Sequence, residues 1–257
     1  MDLEGAARFV REASVAGFRR RAEMVEGGEV VEIDGLVLSL TNLPDASLNA
    51  VCVEAEPSDP AGALADAEAA FRARGMPWFG VELERGAHPA VERAVRDQGL
   101  IRLFTRPALA ARVGDLPPAP APPGTVLGAA RDDADLLGLR AVEVEAFDSS
   151  PEVAEGLIGP ALLDRPDAKA WMAREGGRVV GESLGLHLRG TVGVFGVGVA
   201  QDARGRGIGA ALTVAAARSF PEADLAWLLP SELAESLYRR LGFVTVSLWE
   251  VWVRPEP

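Results

Sequence analysis

Residues 202–212 read DARGRGIGAAL: three glycines and two arginines fall within the six positions from Arg204 to Gly209, and an alanine-rich helical pattern follows at once. A glycine-rich turn between a strand and a helix lets backbone amides converge on an anion, and the helix N-terminus adds roughly half a positive charge. Arg204 and Arg206 can add charge-assisted hydrogen bonds to the same group, which suits a pyrophosphate better than a neutral ligand. The plainer alternative is a tight turn with two solvated arginines.

Composition narrows the choice of anion. The 257 residues, 48% of them hydrophobic, suffice for one large domain or two ordinary ones. A formal net charge of −12 opposes binding to nucleic-acid phosphates or anionic lipid, so the anion sought is small. Lys169 is the single lysine, which excludes the common lysine-based phosphate loop and leaves the work to arginine. No run reaches the roughly 18 apolar residues of a membrane span, and MDLEGAARFV lacks a basic start followed by an apolar run. The expected setting is the cytoplasm, with neither membrane nor nucleic acid as partner. Cys52 is the only cysteine, so no intrachain disulfide can form, and its alternating surroundings predict a buried strand position.

The proline-rich stretch 114–124 breaks the chain, and we expect domains at 1–115 and 124–257 joined by a linker at 116–123. Beyond the linker the pattern predicts a short strand at 124–130, helices at 131–147 and 151–159, and a meander of three strands at 168–175, 178–188 and 191–200. The glycine loop follows the third strand. Ile208, Leu212, Ala215 and Ser219 then share one helical face. A strand at 223–230 leads to a helix with Leu233, Leu237 and Leu241 as its stripe, Ser231 as N-cap and Gly242 as terminator, and the chain closes on a strand at 243–254.

The first half repeats this order: strands at 29–34, 35–41 and 48–56, a helix at 61–75, a strand at 78–84, then a helix and strand over 88–104 that parallel 231–247. The period is too long for a solenoid and indicates two copies of one domain.

Two motifs in this order resemble the GNAT superfamily of acyl-CoA-dependent N-acyltransferases. RGRGIG, with Arg204, Gly207 and Gly209, is similar to the family's acetyl-CoA loop after its fourth strand. AESLYRRLGF places Ala234 and Tyr238 ahead of Leu241, Gly242 and Phe243, as the family does. The resemblance covers residues 124–257, and the two-copy layout resembles tandem GNAT proteins. It implies an α/β fold with a mixed sheet, two GNAT-like domains in tandem, and acetyl-CoA as cosubstrate without a metal.

By position, the resemblance assigns the CoA pyrophosphate to the backbone of Arg204, Gly205, Arg206, Gly207, Ile208, Gly209 and Ala210. The Val199 backbone would run beside the pantetheine arm, and the Val197 amide would meet the acetyl carbonyl, where a fixed N–H stabilises developing charge. Tyr238, the only tyrosine, stands where the family places the phenol that protonates the departing thiolate. With a reference pKa near 10, it is protonated at neutral pH and can donate. Some members of the family carry a glutamate early in strand four, but the corresponding position here is about Gly193, so the resemblance assigns no base there. Glu182 and His187 on the preceding strand are the nearest candidates, on opposite faces because of their odd separation, and a water chain is a third route. The acceptor is a small-molecule or peptide amine, with contacts expected around 146–153.

The first copy lacks this chemistry. EPSDPAGALADA at 56–67 replaces the glycine loop, with Asp59 to repel a pyrophosphate and Pro60 to remove an amide, and Val95 stands opposite Tyr238. Two competing readings remain. A dinucleotide-binding oxidoreductase is suggested by GRGIGA with Asp224 downstream, although Asp224 begins a strand instead of ending one. A non-catalytic acyl-CoA sensor would keep the loop and leave Tyr238 idle.

Overall fold

The computed structural model describes residues 3–76 and 80–255, so the strand expected from residue 78 starts, at Trp78 and Phe79, outside the described residues. The first half of the chain forms α1 (Leu3–Met24), β1 (Glu29–Ile33), β2 (Leu36–Leu40), β3 (Ala50–Val53), α2 (Pro60–Arg72), β4 (Gly80–Glu84), α3 (Pro89–Asp97) and β5 (Ile101–Arg112). The second half forms β6 (Thr125–Ala129), α4 (Asp133–Phe147), α5 (Pro151–Leu157), β7 (Ala168–Glu175), β8 (Arg178–Leu188) and β9 (Thr191–Val199). It ends with α6 (Ile208–Ala217), β10 (Leu225–Leu228), α7 (Glu235–Arg240) and β11 (Val244–Val253). This is the mixed α/β fold that the pattern predicts. Two compact units result: Met1–Ala108 with Thr245–Pro257, and Leu109–Val244.

In the first unit β1, β2 and β3 form an antiparallel meander, β3 runs parallel to β4 across α2, and β4 pairs antiparallel with β11 from Trp249 to Val253. Period-two alternation sends Leu36, Leu38, Leu40, Val51, Val53, Val81 and Leu83 to the face covered by α2 and α3, where Leu64, Phe71, Val91 and Val95 complete an apolar core. Cys52 points away from that core, and burial pushes its thiol well above the ordinary range. Glu82 and Glu84 are buried on β4 and pair with Arg106 at 2.5 Å and Arg11 at 2.6 Å. A guanidinium meets each of these two carboxylates and offsets the cost of burying them.

In the second unit β6, β7, β8 and β9 are antiparallel neighbours, β9 is parallel to β10, and the end of β5, Leu109–Arg112, pairs antiparallel with β10. Helix α6 lies close on β8 because glycine leaves room. A Cβ on Gly181 would sit 2.8 Å from Leu212 Cδ1, and one on Gly185 would sit 2.7 Å from the Ala216 carbonyl oxygen. Helix α4 lies close to β9 for the same reason, at Gly198. The stretch 116–123 falls within this unit, with Leu116 buried and its carbonyl accepting from Arg218 at 2.7 Å.

Helix α7 starts later than its sequence suggests. Its N-cap is Ala234 with no side-chain bond, so Ser231 caps nothing and Leu233, two residues before the helix, is 96% exposed instead of joining a stripe. Gly242 does end it, at φ +91°, with the Phe243 amide returning to the Tyr238 carbonyl at 3.1 Å. No described helix is long and apolar enough to cross a membrane.

Candidate functional site

The site is built on an interrupted strand. β9 and β10 pair only at Ala226↔Val192 and Trp227↔Gly193, so β9 from Val194 onward has an edge that β10 does not cover. On its other edge β9 carries a bulge: Phe195 lies opposite Leu184 and Gly198 opposite Glu182, so two residues, Gly196 and Val197, face Ser183 alone. Gly196 makes this possible at φ +54°. The Ala200 amide donates to the Val180 carbonyl at 2.9 Å, towards β8. Strand alternation therefore turns the backbone groups of Val199, and of Val197 two residues earlier, to the uncovered edge. The Val199 carbonyl there accepts from Arg204 Nε at 3.0 Å.

The glycine loop leads from this edge into α6. Gly205 and Gly207 adopt φ +77° and +92°, where a side chain would be strained. Gly207 is the N-cap, no side chain caps the helix, and its first bond runs from the Ala211 amide to the Gly207 carbonyl at 3.1 Å. The amides of Gly207, Ile208, Gly209 and Ala210 thus precede the ladder and form an uncapped, electropositive helix start. The guanidiniums are not held ready at this point. Arg204 is turned back onto the Val199 and Ala146 carbonyls, and Arg206 pairs with Glu175, whose carboxyl that bond holds below its usual range. Glu145 of α4 accepts the Gln201 amide at 2.6 Å and fixes the start of the loop.

Tyr238 projects from α7 into the cluster that holds Val192 and Val194 of β9, with Phe243 edge-on at 6.2 Å between centroids. It is buried, its hydroxyl has no hydrogen-bond partner among the described residues, and burial pushes the phenol up to about 12. Such a group stays protonated through the neutral range and is a donor waiting for an acceptor.

The two candidate bases occupy different places. Glu182 is buried on the α4 face of β8, its Oε1 3.2 Å from where a Cβ of Gly198 would lie. Burial, and then the neighbouring Glu143, push its carboxyl well above the usual range. His187 is stacked on Phe220 at 5.3 Å, with Nδ1 3.8 Å from Glu222, and lies opposite Val192 at the other end of the strand pair. Five residues of strand separate Val192 from Val197, roughly 16 Å at 3.3 Å per residue. Gly193 has no room for a side chain: a Cβ would meet the Phe195 ring at 2.5 Å and Trp227 at 3.1 Å. Ser231 is exposed.

Glu143 was not legible as a site residue, although it carried a signal. It stands at helical spacing from Leu136 and Leu139, a carboxylate on the apolar face of α4, and is buried there with Ser149 Oγ donating to it at 2.8 Å. Among the described residues no group of three or more His, Cys, Asp or Glu could hold a metal ion.

The corresponding helix start of the first unit is closed. Asp59 is the N-cap of α2, its Oδ1 accepts the Gly62 amide at 3.1 Å, and Pro60 follows at the first turn.

Residues 166–245 match the acetyltransferase (GNAT) domain family. A mycothiol acetyltransferase of Paenarthrobacter aurescens (strain TC1) is 31% identical over 175 residues, 60% of this chain and 54% of that protein. The alignment thus spans about half the length of the curated relative. A GCN5-related N-acetyltransferase from Kribbella flavida superposes with a TM-score of 0.77 at 26% identity, covering 98% of this chain and 96% of the other. A second, from Sphaerobacter thermophilus, has a TM-score of 0.64 at 21% identity over 87% and 82% of the two chains, and shares the fold.

Proposed function

We propose, taking residues 166–245 as the GNAT acetyltransferase domain that they match, that the second unit transfers an acetyl group from acetyl-CoA to a primary amine by direct attack. The observation that carries this reading is the uncapped start of α6 opening beside the β9 edge that β10 leaves uncovered. Those two features fit the two ends of one cosubstrate: amides from Gly205 to Ala210 for a pyrophosphate, and the Val197 and Val199 backbones for an extended arm and its acyl carbonyl. Arg206 leaves Glu175 to reach the phosphates, and Arg204 braces the end of β9.

In the reaction the Val197 amide stabilises the charge that develops on the acyl oxygen. Tyr238 donates its proton to the leaving sulfur, and Glu182 or His187 takes one from the amine. The acceptor is a small-molecule or peptide amine, and the net charge of −12 favours a cationic one. The first unit is a degenerate copy, its helix start occupied by Asp59.

Calorimetric titration of acetyl-CoA and of NAD(H) tests this, followed by thiol release across a panel of primary amines. One acetyl-CoA site per chain and thiol release with at least one amine are expected. Binding of NAD(H) alone would overturn the reading in favour of an oxidoreductase, and acetyl-CoA binding without any thiol release would favour a sensor.

A further inference from the structure

Glu182 is an unusual residue to bury. Its neighbours are Met172 across β7, Gly198 across β9, and Glu143 from α4, whose carboxyl hydrogen-bonds with it. Among the described residues no guanidinium or ammonium is paired with Glu182, and no donor reaches its Oε1. Burying the Glu182 carboxyl without a cation of its own costs stability. Three other buried carboxylates of the described strands, Glu82, Glu84 and Glu250, each meet an arginine.

Position gives the pair a use. Oε1 lies against Gly198, the residue after Val197, whose backbone faces the uncovered edge of β9. Ser149 ties Glu143 to the 148–150 connection between α4 and α5. From Asp132 to Glu155 the chain carries eight carboxylates and one guanidinium, Arg140, a field that draws cations. Resting on the acetyl-transfer reading, we propose that Glu182 is the base for the acceptor amine, and that Glu143 is the positioning residue that makes it one and selects cationic acceptors.

The proton balance is simple. The N–C bond forms as the C–S bond breaks, the amine nitrogen gives its proton to ionised Glu182, and sulfur takes the Tyr238 proton. Water then restores both groups. A lone exposed carboxylate is a weak base at neutral pH. The apolar surroundings first, and then the like charge of Glu143, strengthen Glu182 as a base. His187 has neither the place, at the far end of β9, nor a second carboxyl of this kind.

The test uses the full chain and two isosteric variants, Glu182→Gln and Glu143→Gln. Carboxyl carbons are followed by NMR against pH without any ligand, and thiol release from acetyl-CoA is followed against pH with the best amine of the panel. We expect Glu182→Gln to lose roughly 100-fold or more in kcat/KM with acetyl-CoA affinity unchanged. Glu143→Gln should move both the Glu182 titration and the acid limb of kcat/KM to lower pH, a shift that a merely structural role would not produce. A Glu182 that titrates in the ordinary carboxyl range, or an acid limb unmoved in Glu143→Gln, overturns the assignment while leaving acetyl transfer standing. Acetyl-CoA binding without wild-type turnover overturns both.

Discussion

The Asp59 carboxylate accepts the Gly62 amide at 3.1 Å and fills, at the head of α2, the place that the second unit leaves open above Gly207. The same local architecture, strand to helix to parallel strand, is thus used twice, once closed by its own anion and once uncapped. Asp59→Ala should therefore cost about 1 kcal/mol, the usual worth of an N-cap, and leave acetyl-CoA affinity untouched. Denaturant unfolding and calorimetry on the same variant check the two halves of this expectation.

Arg206 pairs with Glu175 on the exposed surface, an ion pair that contributes little to folding. If its task is the phosphate, Arg206→Ala should weaken acetyl-CoA binding roughly tenfold or more, the worth of one charge-assisted hydrogen bond. Stability should change by no more than about 0.5 kcal/mol. Calorimetric affinity unchanged in Arg206→Ala would return this arginine to the solvated role.

Gly193 stands at a position where the resemblance implied by the RGRGIG and AESLYRRLGF motifs leads one to expect a glutamate. Phe195 and Trp227 meet edge to face at 5.6 Å over this position, and Trp227 Nε1 donates to Thr191 Oγ1 at 3.0 Å. Gly193→Ala should destabilise the second unit by about 1–3 kcal/mol, as overpacking does, and Gly193→Glu should not restore a base there. Unfolding midpoints of the two variants decide the first point, and thiol release decides the second.

Much of this was legible because local rules and tertiary packing agreed. The β7–β9 meander, the α6 glycine loop and the Asp59 block each follow from turn chemistry or alternation, and each appears where the residues place it. Helix α7 was misread at its start because Ser231 satisfies a capping rule that the backbone does not use, turning through Ala234 to Ser231 O instead. Glu143 escaped because its meaning depends on Glu182, 39 residues away and on another element, and no spacing rule connects a helix face to a strand opposite it. The inward turn of Arg204 onto Val199 is likewise a tertiary event, since the loop sequence alone points both arginines at the anion.

Tyr238 offers the cleanest measurement, because it is the only tyrosine in the chain and its ionisation can be followed by ultraviolet absorbance without assignment. Burial holds its phenol at about 12 in the folded protein, against about 10 in an unfolded chain. Below pH 10 both states are protonated and the shift has no effect on stability. Between pH 10 and 12 the unfolded chain ionises first, so the folded state loses up to about 2.7 kcal/mol through this one group. Tyr238→Phe should abolish that loss, and at neutral pH should change stability little, because among the described residues the hydroxyl has no partner to forfeit. The same variant should lower kcat roughly 100-fold or more while binding acetyl-CoA as the wild type does. A native titration midpoint near 10 would contradict the burial, and undiminished turnover in Tyr238→Phe would remove the phenol from the chemistry.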